Sequence, residues 1–91
     1  MRTADLRFVV LHSTRSHRTM LGRAAAGRPP TERLAPYYRT LRLWDCIDDT
    51  GHITRKGHDA LLALEARHAL HVGDEPSRRG RRLLDTISEG R

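Results

Sequence analysis

Cysteine and long apolar runs are scarce in this sequence, and each shortage excludes a class of protein. The single cysteine among 91 residues, Cys46, cannot form an internal disulfide, so a reducing compartment is the default expectation. No segment approaches the roughly 18–20 consecutive apolar residues of a membrane-spanning helix. The apolar run near the start, residues 8–11, is about half the length of the shortest secretory core, and arginines follow it. We therefore expect a soluble, cytoplasmic protein that does not engage membranes.

Residues that carry catalysis are equally sparse. Cys46 lies beside Trp44 and Ile47 near the predicted end of a helix, which is typical of a small buried thiol rather than a nucleophile. Asp48 and Asp49 are adjacent in a turn, so their side chains point to opposite sides and do not form an acid–base pair. No glycine-rich loop follows a strand, so the sequence offers no nucleotide cradle of that kind. It therefore predicts no enzymatic activity and no cofactor.

Six histidines raise the alternative of a metal site. His68 and His71 are three residues apart on one predicted helix face, a spacing that suits two ligands. The remaining histidines are His12, His17, His52 and His58. Neither a CxxC nor an HExxH motif accompanies them. Surface histidines on a basic chain explain the set better, so we predict no metal.

Arginine is what the sequence has in excess. Sixteen arginines stand against one lysine, Lys56, and the net charge is +6. Charge of this sign suits an anionic partner, and guanidinium groups match phosphates and guanine edges better than ammonium groups do. The alternative is that the arginines partly reflect GC-rich coding sequence. Charge favours nucleic acid as the partner.

Length and periodicity predict one small, mainly helical domain. A chain of this size buries only about 60–65% of the surface that its unfolded form exposes, so we expect modest stability unless it self-associates. Apolar residues recur on one face after Thr3 or Asp5, which predicts a first helix; the competing interpretation is a strand over residues 8–11. A second helix over residues 17–26 is expected to end at Gly27, before two prolines.

A third helix is predicted over residues 36–46. Pro36 suits its first position and is expected to push Ala35 out of the helical region. At 100° per residue, one side carries Tyr37, Leu41 and Trp44, and the opposite side carries Arg39 and Arg42. We predict that Trp44 is the principal core side chain, packed beneath the segment that follows.

That following segment contains the most specific signal in the chain. Ile47 and Ile53 flank a turn-prone cluster in which Gly51 can take a positive φ at no steric cost. This pattern predicts a very short β-hairpin with both isoleucines facing inward. Thr54 then occupies the N-cap position of a fourth helix, which runs from residue 55 to about residue 70.

The order of helix, short hairpin and Thr-capped helix resembles the winged helix-turn-helix regulators of bacteria and phages. The start of the fourth helix, Thr54 to Gly57, matches the Thr-x-Lys-Gly pattern that follows the wing in that family. The resemblance implies a mainly α fold with a minimal wing, comprising a winged helix domain at residues 1–73 and an added basic helix at residues 74–91. It also implies that the third helix enters the major groove, while the wing and the next helix start reach phosphates. Carried over position by position, the DNA-binding residues are Tyr38, Arg39, Thr40, Arg42, His52, Arg55 and Lys56.

The fourth helix is apolar over more of its circumference than one core needs. Leu61 and Leu64 point one way, while other leucines and alanines spread around a second face, and a last helix adds more apolar surface. We predict that this surplus pairs two subunits symmetrically; the alternative is that the last helix covers it within one chain. The predicted interface comprises Leu62, Ala66, Ala69, Leu70, Leu83, Leu84 and Ile87.

The expected function is sequence-selective binding of double-stranded DNA by a homodimer, which regulates transcription or assists recombination. Asp48 and Asp49 at the predicted wing repel phosphate and argue against insertion of the wing into a minor groove. They favour the alternative function, a small phage-type inhibitor that blocks a host protein. Its arginines would then pair with carboxylates instead of phosphates.

Overall fold

The computed structural model describes residues 5–89, without the side chain of Glu89. It confirms the mainly helical prediction. The five helices are α1 (Leu6–His12), α2 (Arg15–Ala25), α3 (Ala35–Leu43), α4 (Arg55–His71) and α5 (Arg78–Glu89). Helix α4 is central, because it packs against α1, α2 and α5, whereas α3 packs against α2. Within residues 5–89, no helix is both long enough and apolar enough to cross a membrane.

The first segment is a helix and not a strand. The carboxylate of Asp5 accepts a hydrogen bond from the backbone N–H of Phe8 at 2.8 Å and caps the first turn of α1. Val9 and Val10 are buried, while Phe8 and Leu11 lie on the exposed side. The other predicted start of this helix, Thr3, lies outside the described residues.

Helix α2 begins two residues earlier than the sequence suggested, because its start is fixed by a local hydrogen bond. The backbone N–H of Thr14 donates to Nδ1 of His17 at 2.9 Å, as in a capping box. The helix ends before Gly27, which has a φ of 74°. Met20 and Leu21 are fully buried on its inner side.

Both predicted ends of α3 are wrong. Ala35 is its first helical residue and not an excluded one, because the restriction that Pro36 imposes on its neighbour is a preference that packing can override. The helix stops at Leu43, three residues before the predicted end, since Asp45 adopts a left-handed conformation with φ of 59°. The N–H of Cys46 then donates back to the carbonyl of Leu41 at 2.9 Å.

The prediction that Trp44 is the principal core side chain is also wrong. Its side chain is only half-buried, and its ring stacks on His17 at 5.2 Å and meets the edge of Phe8 at 5.7 Å. Trp44 therefore joins α3 to α1 and α2 instead of lying beneath the hairpin. The largest fully buried side chains are Met20, Leu21, Leu41, Ile47, Leu64, Val9, Val10 and Cys46.

The predicted hairpin wing is reduced to one antiparallel bridge between Ile47 and Ile53, and no strand occurs within residues 5–89. The N–H of Asp48 donates to the carbonyl of His52 at 2.8 Å, and that of Gly51 donates to Asp48 at 3.1 Å. Residues 44–46 close the end of α3 and Thr54 caps α4, so only residues 47–53 are left for the turn and its single bridge. Ile47 faces inward as expected, at 1% exposure.

The Thr54 cap of α4 is confirmed. Its hydroxyl accepts from the N–H of Gly57 at 3.0 Å and donates to the carbonyl of Asp45 at 2.6 Å, which ties the helix start to the end of α3. A Cβ on Gly57 would collide with the carbonyl oxygen of Cys46. The first turn of α4 therefore rests directly on the backbone of the turn before it.

Helix α5 continues the same core. Ile87 is buried, and the backbone at Gly80 approaches α4 so closely that a Cβ there would lie 2.7 Å from the carbonyl oxygen of Leu62. Alanines at 60, 63 and 66 are all buried on α4, and these small side chains allow the close approach of its neighbours.

Candidate nucleic-acid interface

The outward face of α3 carries the residues that the sequence assigned to DNA. Leu41 is fully buried and anchors the helix, which leaves Arg39 and Arg42 exposed on the opposite side. The guanidinium of Arg42 lies 5.9 Å from the ring centroid of Tyr38, within cation–π range. The Tyr38 hydroxyl reaches the tight turn, 3.4 Å from where a Cβ on Gly51 would lie. Tyr38 is thus half-buried and packs between α3 and the turn.

The tight turn places negative charge beside these arginines. Arg42 forms an ion pair with Asp49, with 3.0 Å between Nη2 and Oδ1. The side-chain hydrogen bond from Thr50 and the backbone hydrogen bond from His52 lower the pKa of Asp48, so this carboxyl is ionised at neutral pH. The turn therefore carries the negative charge that is expected to repel phosphate.

The other predicted DNA-binding residues differ in accessibility. Thr40 is half-buried, and its hydroxyl donates to the carbonyl of Pro36 at 3.1 Å within the helix. His52 is exposed, and its Nδ1 lies 2.7 Å from the hydroxyl of Thr50. Arg55 is exposed as the first residue of α4, whereas Lys56 is half-buried next to it.

The predicted dimer residues are divided by the packing of α5 on α4. Ala66 and Ile87 are buried within the single chain and are not accessible to a second subunit. Leu62, Ala69, Leu83 and Leu84 are half-buried. Only Leu70, at 45% exposure, is well accessible among the seven, and Val72 extends its apolar surface at 51%. Much of the surplus apolar face is therefore covered within the chain, and the dimer stays a prediction.

Cys46 and His17, two of the groups considered for catalysis and metal binding, are buried in the core. Burial raises the pKa of the Cys46 thiol to about 11, so it is protonated at neutral pH and is not available as a thiolate. Within residues 5–89, no three His, Cys, Asp or Glu side chains come together as a metal site. His17, the buried histidine, is held by Thr14 and by its stacking on Trp44.

Sequence reasoning missed a basic cleft of about 560 Å³ between the start of α2 and the end of α4. Among the described residues, its lining comprises Thr14, Arg15, Arg18, Leu64, Arg67, His68 and His71 and includes no carboxylate. Arg67 is fixed in place, because its guanidinium donates to the carbonyls of Val10 at 2.9 Å and Ser13 at 3.1 Å. We name this the α2–α4 cleft. The sequence showed Arg15 and Arg18 three residues apart, and His68 and His71 likewise. It did not indicate that these two pairs lie in the same cleft.

A second basic cleft, of about 390 Å³, adjoins the first and shares Arg15 with it. The other residues that line it are Ser16, Thr19, Thr31, Arg33 and Leu34. Basic and hydroxyl side chains therefore continue from the end of α4, across the start of α2, to the segment that precedes α3.

Comparison of the chain with protein-family models, with curated proteins and with solved structures gave no match. The resemblance to winged helix regulators thus rests on the local order of helix, turn and Thr-capped helix.

Proposed function

We propose that this protein binds double-stranded DNA sequence-selectively, as a regulator of transcription or an accessory to recombination, with α3 in the major groove. The observation that carries this proposal is the exposure of Arg39 and Arg42, one turn apart, on a helix whose opposite side is anchored by fully buried Leu41. A major groove about 12 Å wide admits one α-helix, and arginine pairs with the O6 and N7 acceptors of guanine through two hydrogen bonds.

The ion pair between Arg42 and Asp49 is compatible with this role. Both side chains are exposed, at 42% and 99%, and exposed ion pairs are weak because water and salt screen them. Arg42 can therefore exchange the carboxylate for a guanine edge or a phosphate at little cost. Arg39 enters no ion pair within residues 5–89, which leaves it available for base contact.

In this proposal, the start of α4 contacts the phosphates of the DNA backbone. Arg55 and Lys56 stand in the first turn of that helix, where the helix dipole also favours anions. The tight turn with Asp48 and Asp49 stays outside the minor groove. On a palindromic site, a homodimer would present its two α3 helices to half-sites about one helical turn apart. Leu70 is the most accessible of the residues assigned to the dimer contact.

The test is to compare Arg39→Ala and Arg42→Ala with the wild-type protein on a selected duplex and on a scrambled duplex. Each variant is expected to lose about 1–3 kcal/mol of binding to the selected sequence, because a base contact is removed. Arg28→Ala, on an exposed residue beyond α2, is the control with the same change in charge. Circular dichroism confirms that the fold is retained. Unchanged affinity in both α3 variants would remove α3 from the DNA interface.

One observation favours a second candidate, docking onto an acidic surface of another protein. Leu43 is 79% exposed, and it lines a shallow cleft together with Arg39, Arg42 and Asp49. An exposed leucine among arginines is typical of a protein contact that combines an apolar anchor with charged neighbours. Salt-dependent gel shifts separate the two candidates: wild-type protein that binds no duplex even at low salt would exclude DNA and leave the protein-inhibitor function.

A further inference from the structure

The α2–α4 cleft concentrates positive charge without compensation. Arg15, Arg18 and Arg67 line it together with two histidines, and none of the aspartates and glutamates whose side chains the structure describes does. Within residues 5–89, the ion pairs join Arg42 to Asp49, Arg79 to Asp59 and Arg81 to Asp85, all outside this cleft. The acidic residue nearest in sequence, Glu65, is exposed on α4 and is not part of the lining. Guanidinium groups gathered in this way repel one another, and a bound anion removes that repulsion.

One of the three guanidinium groups in the cleft, that of Arg67, is held in place before any ligand binds. Arg15 and Arg18 stand in the first turn of the 11-residue helix α2, whose first N–H groups have no carbonyl partner within the helix and form its positive end. Arg67 is held against the carbonyls of Val10 and Ser13, so its guanidinium loses little conformational freedom on binding. The lining therefore combines one fixed guanidinium with two that can close over a ligand.

Phosphate is the anion that matches these donors best. A guanidinium offers N–H groups in a planar fork, and a phosphate provides enough oxygens to pair with several forks at once. The volume of about 560 Å³ lies in the range of small-molecule sites and exceeds what a bare phosphate fills. Leu64, which is almost fully buried, lies at the base of this lining.

We propose that the α2–α4 cleft is a phosphate-binding site, occupied by the phosphate of a phosphomonoester or of a nucleic-acid backbone. The proposal is independent of the recognition surface on α3, because neither Arg39 nor Arg42 lines this cleft. It assigns a ligand to residues that the winged helix resemblance left without a role.

The experiment is a titration followed by two-dimensional amide NMR, with three probes in 0.15 M salt: adenosine monophosphate, adenosine without phosphate, and a short duplex. The phosphomonoester is expected to cause saturable shifts at Thr14, Arg15 and His68, and adenosine is expected to cause none. Arg18→Gln is expected to weaken phosphomonoester binding about tenfold or more, because charge-assisted hydrogen bonds are lost. The control Arg28→Gln, with the same loss of charge beyond the opposite end of α2, should leave it unchanged.

The two sources of phosphate give different results. Saturation by the monophosphate, with Arg18→Gln leaving duplex binding intact, assigns the site to a small phosphorylated ligand. The other result is that Arg18→Gln lowers affinity for the selected and the scrambled duplex alike and reduces the slope of log affinity against log salt by about one unit. That result assigns the site to the phosphates of a nucleic-acid backbone. Absence of saturable shifts at the cleft with both phosphate probes, or equal losses in Arg18→Gln and Arg28→Gln, would overturn the proposal. The DNA function can fail independently, since Arg39→Ala and Arg42→Ala test it on a different surface.

Discussion

The α3 surface and the α2–α4 cleft both use two arginines one helical turn apart, yet their surroundings differ. On α3, Arg42 is paired with Asp49, and the ionised Asp48 lies in the same turn. In the cleft, Arg15 and Arg18 share the lining with a third arginine and two histidines, and no carboxylate of the described residues joins them. The same spacing along a helix therefore produces one partly neutralised surface and one uncompensated surface.

The difference teaches what each surface is suited to. A partly neutralised surface attracts phosphate weakly and leaves room for base contacts to decide where the protein binds. An uncompensated concave surface attracts phosphate strongly and reads no sequence. Selectivity is therefore expected from α3, and general affinity for phosphate from the cleft. Three predictions break or sharpen this comparison, and they follow from the largest expected effect to the smallest.

Substitution of Gly57 is expected to disrupt the contact between the start of α4 and the turn that follows α3. A Cβ at this position would meet the Cys46 carbonyl and lie 2.8 Å from the side chain of Ile53, so the turn and the start of α4 must separate. Gly57→Ala should therefore cost about 1–3 kcal/mol of unfolding free energy. The matched control is Gly22→Ala in α2, where a Cβ would come within 4 Å of no described residue outside its own stretch of helix. This substitution should stabilise the protein by about 0.4–1 kcal/mol. Urea denaturation of both variants measures the contrast, and equal effects would contradict the close contact at Gly57.

Acidification is expected to weaken the start of α2, which carries the cleft arginines. Burial lowers the pKa of His17 from its ordinary value of 6.5, and its Nδ1 accepts from the N–H of Thr14, which a protonated ring cannot do. The unfolded chain therefore binds the proton more readily than the folded one, so stability is full above about pH 6.5 and declines below it. Denaturation between pH 7.5 and 5 measures this decline.

Two variants assign the decline to one histidine. His17→Gln keeps a capping side chain at the same position of α2 and should flatten the dependence on pH in this window. His58→Gln removes an exposed histidine of α4 and should leave the dependence of stability on pH unchanged. A decline that persists in His17→Gln would show that other groups cause it.

The smallest expected effect concerns Asp49, whose charge neutralises part of the α3 surface. Asp49 is 99% exposed, so Asp49→Asn should leave the unfolding midpoint unchanged while it releases Arg42 from its ion pair. Affinity for duplex should rise, by less than about tenfold, because one screened surface charge contributes little. Fluorescence anisotropy at two salt concentrations measures the change. Weaker binding by Asp49→Asn would mean that the ion pair holds Arg42 in its binding position.

The fold was predictable wherever short-range interactions decide it. The caps at Asp5 and Thr54 act over three residues, and their side chains can be read directly from the sequence. Helix ends that depend on backbone conformation were missed, as at Asp45, whose left-handed φ no composition rule indicates. The wing was overestimated because two inward-facing isoleucines are enough for one bridge and do not require a ladder.

The sequence by itself determined the number of helices, the net positive charge and the outward position of Arg39 and Arg42, because periodicity within one helix fixes which residues share a face. Only the tertiary structure decided which faces meet. It brought Arg15 and Arg18 next to Arg67, about fifty residues along the chain, and it buried Ala66 and Ile87 between α4 and α5. Contacts between distant residues depend on how helices pack, and a hydrophobic pattern indicates that a face is buried without indicating against what.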